Sequence, residues 1–346
     1  MYKKNFLNSI ACLLICMFTF NACTDHKQAV TEDTTLNEKK VYPWYIARDG
    51  GDFKDIEPYK DMLACISVFG KLGKDFIDQC HANQIEVYHA VGGRWVNIDT
   101  PEERTQLIQE YVDYCVNENY DGIDLDFEHL PAQCQPTYSE FLREASNALH
   151  AIGKKMSHCV GYHPAAYDNP DAKVFCDPIV LNETCDLVRV MCYDMFFGPG
   201  VDKNEFKDRY DCSGVGPTSD YPWTIKAMTQ WSRHIAKEKL VMALPAYGND
   251  YSLGKENMKG RQIYACVPDS AKGVLPAPKW NYYSRLNMYI YDGLDGNKHI
   301  FYASDAQSTS YLLQLADELG ISKIGFWHYA SVSKDMWQVT KQWTNQ

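Results

Sequence analysis

The stretch DGIDLDFEHL, residues 121–130, places Asp124, Asp126 and Glu128 at every second position, with apolar residues between them. We call these three acids the carboxylate row. Because successive side chains of a β-strand point to opposite faces, the alternation predicts a strand with acids on one face. The other face of this strand is apolar and is expected to pack against helices, which decides the class of fold.

Seven further segments resemble buried strands, and helix-patterned stretches separate most of them. The eight predicted strands cover 40–47, 62–69, 85–92, 122–128, 155–162, 187–194, 239–247 and 323–330. One helical stretch opens with Thr100 and Pro101, a capping residue followed by a proline in the first turn. Eight strands with helices between them in roughly 300 residues predict a (β/α)8 TIM barrel of the α/β class. A doubly wound open sheet is the alternative, but no GxGxxG or phosphate-binding loop follows a predicted strand.

A barrel gives each face of the opening strand a separate role. The carboxylate row points to the interior, with successive acids about 7 Å apart, while Ile123, Leu125 and Phe127 point to the helical layer. Glu128 then lies at the C-terminal end of the strand, where TIM barrels build their active sites. Asp121 faces away from the row and is predicted to be structural.

An insertion is predicted between the seventh and eighth strands. Residues 249–320 contain one predicted hairpin, MYIYDGLDGNKHIFYA at 288–303, with a Gly-containing turn between two strand-like runs. We therefore expect a short insertion on the barrel at this point.

The composition excludes one class of partner. The formal net charge is -11 and no basic cluster occurs along the chain, so nucleic acid is not an expected partner. The 24 tyrosines and 8 tryptophans would suit a groove that stacks sugar rings, although composition does not separate such residues from ordinary core. We expect a monomer.

The N-terminus has the plan of a signal peptide. Lys3 and Lys4 precede the apolar run FLNSIACLLICMFTF, which is short for a membrane span and ends at NAC. Ala22 and Cys23 resemble the end of a bacterial lipobox, which predicts that Cys23 is lipidated and becomes the mature N-terminus. An ordinary cleaved signal and an uncleaved anchor are the alternatives.

Three regions follow from this reading of the N-terminus. They are a lipoprotein signal peptide at 1–23, a polar flexible tether at 24–39 and a catalytic barrel at 40–346. The predicted location is therefore outside the cytoplasm, with the protein held at a membrane by its lipid, in the periplasm or at the cell surface.

Ten cysteines remain between Cys65 and Cys266, without a CxxC pair or a Cys/His metal spacing. Export permits disulfides, and their connectivity stays open. Cys65, Cys159 and Cys192 lie inside apolar strands and are predicted to be free buried thiols. The sequence predicts no metal and no cofactor.

The carboxylate row is suited to acid catalysis. Confined neighbouring carboxylates raise one another's pKa, and a carboxyl with a raised pKa at a barrel mouth is a candidate general acid. Glycoside hydrolysis in its usual form needs two carboxyls on opposite sides of the bond, whereas this row approaches from one side. Either an opposing carboxylate comes from elsewhere, or a 2-acetamido sugar supplies its own nucleophile. A Ca²⁺ or Mg²⁺ site and a solvated edge strand are the alternatives.

The sequence resembles the family 18 glycoside hydrolases, the chitinase family, over nearly all of 40–335. DGIDLDFE matches the signature DGxDxDxE of that family at every fixed position. AVGG at 90–93, MCYD at 191–194, LPAYG at 244–248 and GFW at 325–327 are similar to its motifs on strands three, six, seven and eight. This family is a substrate-assisted exception to the two-carboxylate scheme.

The resemblance implies a role for each acid of the row. Glu128 would protonate the leaving oxygen. Asp126 would orient the acetamido group and stabilise the oxazolinium ion, and Asp124 would share a proton with Asp126. Ala90 replaces the serine of the third-strand motif and thereby removes a hydroxyl that normally supports the Asp124 position.

The resemblance also implies a substrate-binding set. Tyr193 and Asp194 would hold the N-acetyl group, and Trp327 would form the floor beneath the reacting sugar. Tyr45 on the first strand would be a partner of Asp124.

The predicted function is a retaining, substrate-assisted hydrolase of β-linked N-acetylglucosamine glycans. An endo-β-N-acetylglucosaminidase acting on N-glycan cores or peptidoglycan fragments is an alternative. A non-catalytic glycan-binding protein on the same barrel is an alternative of another class, and the presence of Glu128 favours the enzyme.

Overall fold

A computed structural model of the protein describes residues 38–163, 168–169, 173–196, 215–253, 260–264, 267–271 and 274–346. The predicted signal peptide with Cys23, and all but the last two residues of the predicted tether, lie outside these residues. In the part of the chain that is described, no helix is both long and apolar enough to cross a membrane.

Two β-sheets and seven α-helices make up the described fold. The strands are β1 Lys40–Val41, β2 Trp44–Ile46, β3 Cys65–Phe69, β4 Glu86–Gly93, β5 Gly122–Phe127, β6 Lys155–Val160, β7 Leu187–Met191, β8 Leu240–Pro245, β9 Gly248–Ser252, β10 Arg261–Ile263, β11 Lys279–Asn281, β12 Leu286–Asp292, β13 Lys298–Ala303 and β14 Lys323–Trp327. The helices are α1 Lys74–Ala82, α2 Pro101–Asn117, α3 Gln135–Ala151, α4 Pro178–Thr184, α5 Tyr221–Ser232, α6 Ala306–Leu319 and α7 Lys334–Thr344.

The larger sheet is a parallel barrel in the order β1-β14-β8-β7-β6-β5-β4-β3-β2. The strands at the two ends of this order, β1 and β2, come from one segment of the chain, because the first predicted strand divides at Pro43. β1 pairs with β14, and Trp44 at the start of β2 lies opposite Ser67 on β3. Proline has no N–H to donate to a ladder, and it interrupts a strand at such a point. The predicted (β/α)8 barrel is confirmed, and the open-sheet alternative is wrong.

Helices cover the outside of the barrel as the alternation in β5 predicts. Ile123 and Leu125 are fully buried in the core between the strands and the helices. The predicted start of α2 is confirmed, since Thr100 and Glu103 form a reciprocal capping box. The Thr100 Oγ1 accepts from the Glu103 backbone N–H at 3.2 Å, and a Glu103 carboxylate oxygen accepts from the Thr100 N–H at 2.9 Å.

The insertion after β8 is a five-stranded antiparallel sheet in the order β10-β9-β13-β12-β11. The predicted hairpin is confirmed as β12 and β13, paired from Asn287↔Ala303 to Asp292↔Lys298. The remaining strands were not predicted, since β10 and β11 have three residues each and β9 has five. Runs of that length contain too little alternation to identify a strand.

The cysteines that the structure describes are free thiols. Cys65, Cys159 and Cys192 are buried in or beside the barrel strands, which confirms the prediction for these three. Burial raises the pKa of each of these thiols, so they are held neutral in the interior.

Candidate active site

The carboxylate row runs from the sealed interior of the barrel to its mouth. Asp124 is fully buried, Asp126 is partly buried, and the Glu128 side chain is 45% exposed. All three acids therefore point inward, as predicted. Asp121 stays outside the row, where it accepts hydrogen bonds from the Val87 backbone N–H and from His81 and has the structural role predicted for it.

Asp124 is surrounded by hydrogen-bond donors. The Trp44 indole Nε1–H donates to its Oδ2 at 3.1 Å, and the Ser67 hydroxyl donates to the same oxygen. Nε of Arg189 lies 3.4 Å from Oδ1, and the Cys159 thiol lies 3.7 Å from both oxygens. Trp44 and Ser67 therefore donate to one oxygen of Asp124, while the Arg189 guanidinium faces the other oxygen as an ion pair.

Tyr45 is not a partner of Asp124, so this prediction is wrong. Its hydroxyl donates to the Asp55 carboxylate at 2.7 Å, and its ring lies 5.3 Å from that of Phe76, on the outer face of the strand. Trp44 occupies the inward position instead. The break at Pro43 sets the phase of β2, and a shift of one residue exchanges the two faces of a strand.

A hydroxyl reaches Asp124 although Ala90 occupies the position of the motif serine. Ala90 is buried directly opposite Asp124 in the β4–β5 register and offers only a methyl group. Ser67 on β3, one strand further round the barrel, supplies the hydroxyl that contacts Asp124. The sequence alone does not indicate this replacement, because Ser67 lies 57 residues from Asp124.

Asp126 is the acid whose pKa is moved furthest into the neutral range. Burial, followed by the charges of Glu128 and Asp124, raises its pKa to about 7. No described residue forms a hydrogen bond with its buried Oδ1. Gly92 lets the neighbouring strand approach here, since a Cβ at that position would lie 2.2 Å from the Asp126 carbonyl oxygen.

Glu128 lies at the end of the row with its carboxyl half exposed. Its backbone N–H donates to the Gly93 carbonyl at 3.1 Å, which extends the pairing of the two strands to the mouth. Burial and the charge of Asp194 raise its pKa, while His129, with Nε2 3.9 Å from Glu128 Oε2, lowers it. A raised pKa keeps a larger fraction of the carboxyl protonated near neutral pH, as a general acid requires.

Aromatic rings form a cluster next to the row. Trp327 lies with its ring 5.8 Å from Trp44 and 5.5 Å from Phe69, both in edge-to-face geometry. Tyr193 packs 6.4 Å from Trp44 and 6.2 Å from Tyr247. Trp327 and Tyr193, both predicted from the sequence, are thus brought together with Trp44 in one apolar cluster.

Asp194 is held by residues from two parts of the chain. The Tyr247 hydroxyl donates to its Oδ1, and Nε2 of Gln262 on β10 donates to the same oxygen at 3.2 Å. Burial raises the pKa of Asp194, and these two hydrogen bonds oppose the rise. Its backbone N–H donates to the Thr218 hydroxyl at 3.2 Å, and its φ of 63° lies in the left-handed region.

Several site residues were not predicted as such. Tyr247 lies within the quoted LPAYG segment, so a signal for it was present in the sequence. Gln262 lies on a three-residue strand and carries no recognisable pattern. Trp95, just after β4, is 69% exposed, and its indole N–H donates to Asn97 at 2.8 Å. An exposed tryptophan beyond the C-terminal end of a barrel strand was a usable signal.

The fold and the site define the class of protein: a TIM barrel with a row of three acids that reaches the C-terminal mouth of the barrel. The sequence profile described as "Glycosyl hydrolases family 18" matches residues 15–331, so the chain belongs to this family.

Individual relatives are distant in sequence. The chain is 22% identical to di-N-acetylchitobiase of Rattus norvegicus over 292 residues, 77% of this chain and 76% of that protein. It is 25% identical to a chitinase-like effector of Moniliophthora roreri over 209 residues, 53% of this chain, and spans only 48% of that protein's length. Membership of the family, together with the similarity to di-N-acetylchitobiase, supports a glycosidase.

A solved structure supports the same fold. The chitinase from Chromobacterium violaceum superposes with a TM-score of 0.69 over 89% of this chain and 99% of that chain, at 18% identity. At this level of identity the similarity shows the barrel fold alone.

Proposed function

We propose that this protein is a retaining, substrate-assisted glycoside hydrolase that cleaves β-linked N-acetylglucosamine glycans. The observation that carries the proposal is the buried Asp126 Oδ1, which has no hydrogen-bond partner among the described residues. It lies between Asp124 and Glu128 beside an apolar aromatic cluster. An acceptor in that position fits the amide N–H of a 2-acetamido group.

Two chemical steps follow from this placement. Glu128 protonates the glycosidic oxygen while the acetamide oxygen of the substrate attacks the anomeric carbon, so that the glycosidic bond breaks and an oxazolinium ring forms. Asp126 accepts the amide N–H and offsets the positive charge on that ring. Water then attacks the anomeric carbon and transfers a proton to Glu128, while the bond between that carbon and the acetamide oxygen breaks and the acetamido group is regenerated. Two displacements at one carbon retain the configuration.

The surrounding residues position the sugar for these steps. Trp327 provides an apolar floor beneath the ring, and Tyr193 borders the acetamide position. Asp194 binds the N-acetyl group, because Tyr247 and Gln262 fix one of its oxygens and leave the other oxygen for the substrate.

Asp194 is also the residue that would serve a different mechanism. The charge of Asp194 raises the pKa of Glu128, which indicates that the two carboxyls are near each other. Asp194 is therefore the candidate for an enzyme-borne nucleophile. Its two hydrogen-bond donors favour a binding role, since a nucleophile tied to two donors is weakened. Trapping with a 2-fluoro glycoside separates the two mechanisms: a sugar ester on Asp194 or any other acid would overturn substrate assistance.

The test of the function is hydrolysis of a panel of glycans by the full chain. Chitooligosaccharides, a high-mannose glycoprotein and peptidoglycan cover the three substrate classes. We expect new reducing ends from at least one of them, with the β-anomer formed first in ¹H NMR spectra. N-acetylglucosamine thiazoline should inhibit competitively as a mimic of the oxazolinium ring. Binding of all three glycans without any new reducing ends would favour the glycan-binding alternative.

The location is a separate part of the proposal. The charged start, the short apolar run and Ala22-Cys23 support export and lipidation at Cys23. A lipid anchor would place the barrel at a membrane surface, with residues 24–39 as a tether.

A further inference from the structure

Arg189 is a fully buried cation in the centre of the barrel. Its Nη1 donates to the Tyr42 carbonyl at 2.6 Å, its Nε donates to the Ser157 hydroxyl at 3.1 Å, and its Nη2 lies 3.6 Å from the Cys65 sulfur. The same Nε lies 3.4 Å from Asp124 Oδ1. A buried guanidinium is costly unless it has hydrogen-bond partners and a counter-charge, and here each of its three nitrogens has a partner and Asp124 supplies the counter-charge.

Arg189 is the group that balances the charge of Asp124, because the other titratable groups nearby do not supply a cation. Its own strand contributes Asp126, and the titratable side chains whose charges act on Asp124 or on Arg189 are Tyr42 before β2, Cys65 on β3, Tyr88 on β4, His158 and Cys159 on β6, and Cys185 after α4. Burial lowers the pKa of His158 to about 4, so this imidazole is neutral near pH 7. Burial raises the pKa of these phenols and thiols, so they stay neutral. Among the described residues, Arg189 is the cation that pairs with Asp124.

The proton of the acidic pair therefore has a preferred site. Trp44 donates to Oδ2 of Asp124, and the Arg189 guanidinium, which does not lose its proton, lies 3.4 Å from Oδ1 as an ion pair. Protonating Asp124 would leave the buried Arg189 cation without its counter-charge. The charge of Arg189 also lowers the pKa of Asp126, but burial and the neighbouring acids outweigh it, and the Asp126 Oδ1 has no hydrogen-bond partner among the described residues.

We propose that Arg189 is a positioning residue that keeps Asp124 ionised, so that the exchangeable proton of the row stays on Asp126 and Glu128. This inference rests on the proposed function. It replaces a proton shared between Asp124 and Asp126 with a fixed charge at the bottom of the row. It also accounts for the presence of Ala90, because a permanent ion pair with Arg189 and the hydroxyl of Ser67 support Asp124 without the motif serine.

The direct test does not depend on turnover. Protein labelled with ¹³C at the aspartate carboxyls is titrated by NMR from about pH 4 to about pH 9, a range that includes ordinary and raised aspartate pKa values. The Asp124 signal is assigned by its loss in Asp124→Asn. We expect this signal to stay at its ionised position throughout in the wild type. An Asp124 signal that titrates in the wild type within this range would overturn the proposal.

The kinetic test uses whichever glycan of the panel is hydrolysed. Arg189→Met removes the cation that stabilises the negative charges of Asp124 and Asp126. The proton that these two acids hold is then lost at a higher pH. The basic limb of the kcat/KM profile should then move up by about 1 to 3 pH units, and kcat should fall because Asp124 competes for the proton. Arg189→Lys keeps the positive charge, so the pH of the basic limb of its kcat/KM profile should match that of the wild type.

Thermal unfolding separates this effect from loss of folding. If Arg189→Met does not fold, Asp124→Asn/Arg189→Met removes both charges of the pair, and the wild-type NMR titration decides the question. A folded Arg189→Met variant with an unmoved basic limb would overturn the positioning role. A wild-type protein inactive on every glycan would defeat the proposed function, while the titration of Asp124 would still decide whether the charge is fixed.

Discussion

Nε2 of Gln262 lies 3.2 Å from Oδ1 of Asp194, which links the antiparallel insertion to the mouth of the barrel. Asp194 follows β7, whereas Gln262 lies on β10, 68 positions further along the chain. Under the proposed function, the insertion therefore contributes to the binding site for the acetamido group. The orientation of Asp194 depends on a residue that no barrel motif contains.

Replacing Gln262 should weaken substrate binding more than it slows chemistry. Gln262→Ala removes one of two donors to Asp194, and a hydrogen bond to a charged group contributes about 1.5 to 3 kcal/mol. We expect KM to rise by about tenfold or more, while kcat changes little. Gln109→Ala on the outer face of α2 is the matched control and should behave as wild type. A lower kcat at constant KM would contradict the assigned role.

Glu128→Gln should abolish most turnover and leave binding intact. The amide keeps the shape of the side chain but has no acidic proton to donate, and losing a general acid costs about 10²- to 10⁴-fold in rate. Steady-state kinetics and calorimetric titration with a chitooligosaccharide measure the two effects separately. Glu110→Gln, on an exposed surface of α2, serves as the control. Wild-type turnover in Glu128→Gln would show that another group is the acid.

The barrel and the carboxylate row were predictable because both depend on local alternation of apolar and polar residues. A period of two placed three acids on one face of β5, and the same period identified the strands on either side of it. The partner of Asp124 was mispredicted by one residue, because Pro43 divides the first strand and Trp44, not Tyr45, turns inward. A proline inside a predicted strand was the available warning.

Contacts between distant segments were not predictable in this way. Arg189 does carry a signal, since it lies two residues before Met191 and four before Tyr193 and thus shares their inward face. A charged residue inside an apolar strand indicates a buried partner, but not which one. Gln262 and Ser67 carry no such signal, because their roles arise only when the barrel closes and the insertion folds over its mouth.

Cys23→Ser should release the protein from membranes. Residues 1–23 lie outside the described structure, so this prediction rests on the sequence of the N-terminus. Several acyl chains together anchor a protein firmly, whereas a single chain binds weakly and reversibly. Fractionation of cells that express the wild type and the variant, with mass spectrometry of the mature N-terminus, measures the effect. Wild-type protein found wholly in the soluble fraction would contradict lipidation.

Asp126→Asn should stabilise the fold at neutral pH and not in acid. Burial raises the folded-state pKa of Asp126 from 3.8 to about 7, so between these values the unfolded chain releases a proton that the folded chain keeps. The free energy of unfolding therefore falls as pH rises through this window and stays lowered above it. Asparagine does not ionise, and the variant avoids this loss, which is about 4 kcal/mol in order of magnitude.

Denaturant unfolding at several pH values checks this prediction. The difference between Asp126→Asn and the wild type should grow from about pH 4 to about pH 7 and then level off. Asp113→Asn, on the exposed side of α2, provides a control whose difference should stay small throughout. The same Asp126→Asn variant should lose turnover far more than glycan affinity, because an amide does not offset the charge on the oxazolinium ring. A difference in stability that is independent of pH would show that Asp126 is not held protonated by its burial in the row.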